Sequence, residues 1–142
     1  MSTDPRERVC ECGDNLEACR SAWDDCLVVE FADPEYGVVH HFTVAAFMLQ
    51  HPSRLSASGW DEIAALLRRF VAGLTPEAAR REVGARRREQ SLVRGVSRDL
   101  DGLTWTRRVS GVRRETPKVY GDDIRAWAEA TLADIDRFAP HL

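Results

Sequence analysis

The sequence lacks several features that would assign it to a particular class of protein. It contains no uninterrupted run of about 18 apolar residues, so we expect no membrane-spanning helix. Its first residues are polar and do not resemble a signal peptide, which makes the cytoplasm the expected compartment. It has no internal repeat, and Lys118 is the single lysine among 20 basic residues. Because the other basic residues are all arginines, arginine clusters indicate codon usage more readily than a binding surface.

The charge is unevenly distributed, although the formal net charge is only −3. Residues 1–36 contain ten acidic residues and three arginines, whereas residues 80–114 contain eleven arginines and four acidic residues. A basic segment of this kind can bind nucleic acid. Since no recognition motif accompanies it, we do not expect nucleic acid to be the partner. We therefore expect the partner to be an unidentified protein or small molecule. The sequence does not determine the oligomeric state.

Composition and the spacing of apolar residues predict a single all-α domain. A chain of 142 residues with 44% hydrophobic residues can bury its own core. Apolar residues recur at three- and four-residue steps, which indicates amphipathic helices in a small antiparallel bundle of four to five helices. The predicted parts are an N-terminal metal-binding loop (1–14), a helical hairpin (15–51), further helices (56–90), an irregular segment (91–118) and a C-terminal helix (121–139).

Capping residues and helix breakers mark the first helix boundaries. Asn15 is the predicted N-cap of the first helix. Pro34 separates this helix from a second one that begins near Val38. Ser56 or Ser58 then caps a third helix.

The boundaries in the second half of the chain are less regular. Thr75 and Pro76 predict the start of a fourth helix, which runs to about Gln90. Glycines interrupt every helical pattern in residues 91–118, where we expect irregular structure or a short hairpin. Asp122 and the residue after it mark the expected start of the last helix.

Three cysteines and one histidine form a candidate metal site. Three thiolates and one imidazole are a ligand set of tetrahedral zinc sites. In an antiparallel hairpin that turns near Pro34, Cys19 faces His51, and the loop that carries Cys10 and Cys12 lies at the same end. The sequence therefore predicts a zinc ion bound by these four residues, whether in a closed or an open site. Disulfides are disfavoured in a reducing compartment, and buried cysteines that serve only as core residues are the remaining alternative.

Helical geometry excludes the other cysteine and a second histidine from that site. Cys26 lies seven residues after Cys19, which separates them by roughly 10 Å along a helix axis. His40 and His51 are about 16 Å apart by the same rise per residue. We expect Cys26 to be a core residue.

Glu30 and His40 face each other at the closed end of the predicted hairpin, beside Cys26 and Tyr36. A buried carboxylate next to an imidazole can be a hydrogen-bonded pair that locks the hairpin. It can also be a catalytic acid and base in a pocket covered by Tyr36 and residues 91–118. Glu30 and His40 are therefore candidate catalytic residues, and both interpretations are open.

The block from Val29 to Ser56 resembles a family of small uncharacterised bacterial proteins, a domain of unknown function. The family pattern is Cys-x-x-Cys-Gly, a third Cys, Leu-Glu-Phe-x-Asp-Pro-x-Tyr and His-x-Leu-Thr-Val-x-x-Tyr-x-Leu-Gln-His-Pro. Later in this chain, Arg125-Ala126-Trp127-Ala128 also fits the family. The matching positions in this chain are Cys12, Gly13, Cys19, Glu30, Tyr36, His40, Thr43, Val44, Gln50, His51 and Pro52. The resemblance implies a shared fold and a shared site, but no activity.

The chain departs from this pattern at two positions. Cys10 and Cys12 are one residue closer than the family's usual pair, so the resemblance supports Cys10 least among the four ligands. Cys26 stands where an aliphatic residue is usual, which agrees with its expected place in the core.

Three functional hypotheses follow. The leading one is a small zinc-binding helical protein that acts as an accessory or binding module. The first alternative is an enzyme that uses Glu30 and His40, or a metal, on a small molecule. The second is a thiol-based redox or metal sensor, in which Cys10 and Cys12 release zinc on oxidation.

Overall fold

A computed structural model describes residues 8–85 and 95–141 of the chain. Over these residues the protein is all-α, as predicted, and it contains no β-strand. The α-helices are α1 (Leu16–Ala32), α2 (Pro34–Gly37), α3 (His40–Gln50), α4 (Ala57–Val71), α5 (Pro76–Ala85) and α6 (Pro117–Phe138). Short 3₁₀ helices occupy Pro52–Arg54, Val109–Gly111 and Ala139–His141. None of the described helices is both long and apolar enough to cross a membrane.

The turn between α1 and α3 is more ordered than the sequence predicts. Instead of a plain break, Asp33 accepts a hydrogen bond from the Glu35 amide and caps the single-turn helix α2. Pro34 suits the first position of a helix, because that position needs no amide hydrogen. The predicted second helix therefore begins at His40, and not at Val38.

Gly37 closes this turn against α1. A Cβ atom at this position would lie 2.7 Å from the carbonyl oxygen of Glu30, which is closer than van der Waals contact allows. Only glycine lets the two backbones approach in this way. The close approach brings the start of α3 to the end of α1 that carries Glu30.

Helix α3 lies in the centre of the domain and packs against α4 and α6. It buries seven of its eleven residues. Trp60 of α4 is buried and donates a hydrogen bond of 3.0 Å from Nε1 to the Leu49 carbonyl. On the α1 side, the rings of Trp23 and Phe47 stack with their centroids 3.9 Å apart. These contacts hold α4 and the middle of α1 against α3.

The last helix starts earlier than predicted. Helix α6 begins at Pro117, several residues before Asp122, because the Thr116 side chain accepts a hydrogen bond from the Val119 amide. Thr116 and Pro117 thus start a helix, as Thr75 and Pro76 do for α5. Pro117 therefore belongs to the last helix and not to the irregular segment predicted for residues 91–118.

The segment before α6 contains no hairpin within its described residues 95–116, and only the 3₁₀ turn at Val109–Gly111 is regular. The predicted extension of the fourth helix to Gln90 lies outside the described residues. The 3₁₀ turn packs against α1. The amide nitrogen of Gln50 donates to the Arg107 carbonyl at 2.9 Å, which ties the segment to α3. The irregular segment is therefore held beside the N-terminal loop.

Candidate metal centre

Three parts of the chain bring the four predicted ligands together. Cys10 and Cys12 lie in the N-terminal loop, Cys19 lies in the second turn of α1, and His51 is the C-terminal cap of α3. The loop folds back on itself through a 2.8 Å hydrogen bond from the Gly13 amide to the Cys10 carbonyl. Gly13 has a φ of 96°, a left-handed conformation that glycine adopts without strain.

The four ligand atoms have the dimensions of a tetrahedral metal site. They all lie within 4.8 Å of one another, and all four residues are buried. The Sγ atoms of Cys12 and Cys19 are 3.8 Å apart. His51 Nε2 lies 3.2 Å from Cys10 Sγ and 3.3 Å from Cys19 Sγ. Zinc bonds of about 2.3 Å to sulfur and 2.0 Å to nitrogen give separations of about 3.8 Å and 3.5 Å in a tetrahedron. The cluster can therefore hold a metal ion.

His51 is oriented by a hydrogen bond to its own helix. Its Nδ1 donates to the Phe47 carbonyl at 2.6 Å, which leaves Nε2 of the neutral ring with a lone pair toward the sulfurs. Metal-binding histidines commonly have such a partner on the other ring nitrogen. The Phe47 ring also stacks on the imidazole, with centroids 3.9 Å apart. The imidazole is thus held in place before any metal binds.

The sulfurs influence each other's acidity. The hydrogen bond with Cys19 lowers the pKa of Cys12 to about 4. The same interaction raises the pKa of Cys19, and burial raises the pKa of Cys10. The cluster therefore offers one thiolate at neutral pH, and a metal ion must displace protons from the other two thiols.

Contacts from distant parts of the chain support the loop. Arg108 Nε donates to the Cys12 carbonyl at 3.0 Å, and the Ser110 hydroxyl donates to Asp14. On the other side the Ser53 hydroxyl donates to Glu11 at 2.8 Å. Sequence reasoning missed these residues because no local pattern connects them with the cysteines.

A cavity of about 290 Å³ lies against one side of the cluster. Cys10, Cys19 and His51 form part of its wall, together with Arg20 and Arg54. The Arg54 guanidinium lies 5.4 Å from the centre of the Phe47 ring. The four ligand residues are thus buried, but the cavity brings solvent close to Cys10, Cys19 and His51.

Cys26 lies in the core, apart from this cluster. It is fully buried and is not one of the four grouped ligands. Burial raises the pKa of its thiol, which keeps it neutral. His41 is also separate, and its ring packs against Phe42 and Phe70.

Glu30 and His40 meet, as the hairpin register predicts. His40 Nδ1 donates to Glu30 Oε1 at 2.6 Å. Thr43 Oγ1 donates to Glu30 Oε2 at 2.6 Å, and the Tyr120 hydroxyl donates to the same oxygen. Burial and the bond to Glu30 raise the pKa of Tyr120. No sequence pattern indicates Tyr120 as a partner, because it lies 90 residues away on α6.

This arrangement supports a structural role for the pair. The Glu30 side chain is 0% exposed, whereas that of His40 is 38% exposed. Three donors satisfy the buried carboxylate, as a stable buried charge requires. Tyr36 does not cover an open pocket there, because its hydroxyl donates to the Arg114 carbonyl and its ring packs on Tyr120.

Comparison with family models identifies the relatives of this chain. The model of a family of unknown function, DUF5946, matches residues 7–136. The chain belongs to the DUF5946 family. This match confirms the predicted membership in an uncharacterised family and covers the metal cluster, the Glu30 pair and most of α6. Comparison with curated proteins and with solved structures gave no match. Membership in DUF5946 brings no activity with it, so a functional argument must rest on the geometry.

Proposed function

We propose that the protein is a small zinc-binding helical module in which a closed zinc site ties the N-terminal loop to the α1–α3 hairpin. The observation that carries this proposal is the convergence of Cys10, Cys12, Cys19 and His51, with all ligand atoms within 4.8 Å. Thiolate and imidazole ligands select zinc over magnesium or calcium, which prefer oxygen. Four buried protein ligands fill a tetrahedral shell and leave no position for a substrate.

A structural role for the metal agrees with the partial exposure of the loop. Val9 is 75% exposed, and Glu11 also faces solvent. A metal ion bonded to two loop cysteines, to α1 and to the end of α3 would join all three segments. Since the site does not exist in the unfolded chain, metal binding contributes to folding. The metal-bound module would then present its surface to a partner, without chemistry at the ion.

Elemental analysis tests this proposal. Protein purified without chelator should contain one zinc ion per chain, because the site is already assembled. Cys12→Ser should lose the bound zinc, since three remaining ligands no longer close the shell. Cys26→Ser provides a matched control, because it also changes a buried cysteine but leaves the four ligands intact.

The control variant should retain one zinc ion per chain even if burying a hydroxyl makes it less stable. Wild-type protein without stoichiometric zinc would contradict the proposal. Equal zinc loss in both variants would indicate that zinc depends on the fold in general, and not on this ligand set.

A thiol-based sensor is a second candidate, favoured by the cavity against Cys10 and Cys19. Peroxide reaching this cavity would oxidise two thiolates to a disulfide, with two electrons passing to the peroxide as it becomes water. The zinc ion would lose two ligands and leave. Zinc release measured with a chromogenic chelator after mild peroxide treatment tests this, and reduction should restore binding. Retention of zinc under peroxide would exclude the sensor while leaving the structural role intact.

A further inference from the structure

A second cavity has properties of a binding site that the proposed zinc module does not use. Its volume is about 230 Å³, and it lies between the irregular segment and α6. Its wall contains polar residues from both elements. These are Thr106, Arg107, Arg108, Ser110, Asp123 and Trp127.

The wall contributed by α6 has an unpaired donor. Trp127 is 1% exposed, and its indole Nε1 is buried with no hydrogen-bond acceptor among the described residues. A buried indole N–H usually has a partner. The carbonyl oxygen of Gln50 also lacks one, but Gln50 does not line the cavity. Trp127 lines the cavity, so its indole N–H is an unsatisfied donor beside it.

The carboxylate and the hydroxyls in the wall already have partners. Asp123 accepts three hydrogen bonds from Arg113, one from the amide and two from the guanidinium, at 2.9–3.0 Å. The Thr106 hydroxyl donates to Asp134, and the Ser110 hydroxyl donates to the N-terminal loop. The carboxylate is therefore paired, and neither hydroxyl has a hydrogen left to donate to a ligand, so the donors of this wall must come from its other residues.

Positively charged donors remain available. Arg107 is exposed and its side chain forms no ion pair or hydrogen bond within the described part of the chain, although its charge helps to lower the pKa of Asp123. Arg108 uses Nε for the Cys12 carbonyl, and its guanidinium lies over Gly13. No bond from its two terminal nitrogens holds them elsewhere in this part of the chain. Two arginines and a tryptophan with an unpaired indole N–H therefore line a cavity whose own carboxylate is paired.

We propose that this cavity binds the oxyanion group of a small molecule, a carboxylate or a phosphate. Such a group carries only acceptors and a negative charge, which matches the two arginines and the indole N–H of this wall. A cationic ligand would instead meet two side chains of its own charge. The volume accommodates a small metabolite and excludes a macromolecule.

The site is linked to the metal loop through Arg108. The same guanidinium lines the cavity and donates to the carbonyl of Cys12, a metal ligand in the proposed function. The binding of an oxyanion does not depend on the metal, however, because Arg107 and Trp127 do not contact the cluster. Failure of the zinc proposal and failure of this one are therefore distinguishable.

The experiment uses the indole signal of Trp127 in ¹H–¹⁵N correlation spectra of the full chain. The four tryptophans give four indole signals, and Trp127→Phe assigns one of them. Inorganic phosphate and succinate are titrated separately at constant ionic strength. At least one anion should shift the Trp127 signal saturably, with a dissociation constant below about 1 mM. The anion that binds identifies the oxyanion as a phosphate or a carboxylate.

Arg107→Gln removes one guanidinium from the cavity and should weaken binding at least about tenfold, the loss expected for a charge-assisted hydrogen bond. Arg80→Gln is the matched control, because Arg80 is an exposed arginine of α5 outside the cavity and should leave binding unchanged. No saturable shift with either anion up to about 10 mM would overturn the proposal and assign the indole partner to water. Equal weakening by both variants would also overturn it, since the effect would then be general charge attraction.

Discussion

His51 donates a hydrogen bond of 2.6 Å from Nδ1 to the carbonyl oxygen of Phe47, one turn earlier in α3. This bond directs Nε2 toward the sulfurs of Cys10 and Cys19, at 3.2 Å and 3.3 Å. A single residue thus ends the central helix and supplies a ligand. The end of α3 and the metal centre are therefore parts of one structure, and a change in either should affect the other.

Replacing the histidine ligand should weaken metal binding strongly. His51→Gln removes one of four ligands. Loss of a residue that only hydrogen-bonds to a metal ligand lowers metal affinity by up to about 100-fold, so loss of the ligand itself should lower zinc affinity by more than that. Competition with a chromophoric chelator measures the affinity. His41→Gln is the control, because His41 packs against Phe42 and Phe70 and contacts no ligand sulfur. Unchanged affinity in the His51 variant would remove this residue from the site.

Removing the metal should loosen the N-terminal loop before the core. The Cys10 amide is bonded to the Asp14 carbonyl and the Gly13 amide to the Cys10 carbonyl, both within the loop. With a chelator present, these amides should exchange with deuterium at least about tenfold faster, whereas amides of α3 should keep their protection. Uniformly faster exchange would instead indicate that the whole fold depends on the ion.

The buried carboxylate of Glu30 should be needed for stability. Glu30→Gln replaces one accepting oxygen with an amide that faces donors from His40, Thr43 or Tyr120. We expect the free energy of unfolding to fall by about 3 kcal/mol, as for other broken buried charge networks. Urea denaturation measures this loss.

Glu35→Gln is the matched control, since Glu35 is an exposed residue in the first turn of α2. It should change the stability by less than about 0.5 kcal/mol. Similar small changes in both variants would mean that the Glu30 network contributes little, and would reopen a catalytic interpretation of Glu30 and His40.

Acid should weaken the contact between Asp123 and Arg113. The hydrogen bonds from Arg113 hold the pKa of Asp123 below its usual range. In the unfolded chain the pKa of Asp123 is higher, about 3.9. The contact with Arg113 therefore stabilises the fold fully above that pH. This stabilisation is lost as the pH falls through the lower pKa of the folded state. Asp123→Asn should therefore lower the melting temperature at pH 6, and by a smaller amount at pH 3.

Thermal unfolding of the wild type and the variant at both pH values provides the measurement. Asp24→Asn serves as the control for the loss of one negative charge, because Asp24 is exposed on α1. A difference between wild type and Asp123→Asn that is equally large at pH 3 would contradict the assignment.

Local spacing predicted those parts of the structure that depend on neighbours in the chain. Asn15 caps α1 as expected, and the hairpin register placed Cys19 opposite His51 and Glu30 opposite His40. Helix rise alone excluded Cys26 from the metal group. These inferences succeeded because one α-helical hairpin determines all of them.

Contacts between distant segments could not be predicted in this way. Tyr120 reaches Glu30 across 90 residues, and Arg108 reaches Cys12 across 96. Nothing in the sequence near either residue indicates its partner. The start of α6 differs from these contacts, because Thr116 and Pro117 are a local capping signal that the sequence itself contains.

X-ray absorption at the zinc edge is the most direct test of the central claim. It reports the atoms bonded to the metal in protein purified without chelator. We predict three sulfur ligands at about 2.3 Å and one nitrogen at about 2.0 Å, from Cys10, Cys12, Cys19 and His51. A shell of oxygen and nitrogen without sulfur, or no bound zinc at all, would contradict the account.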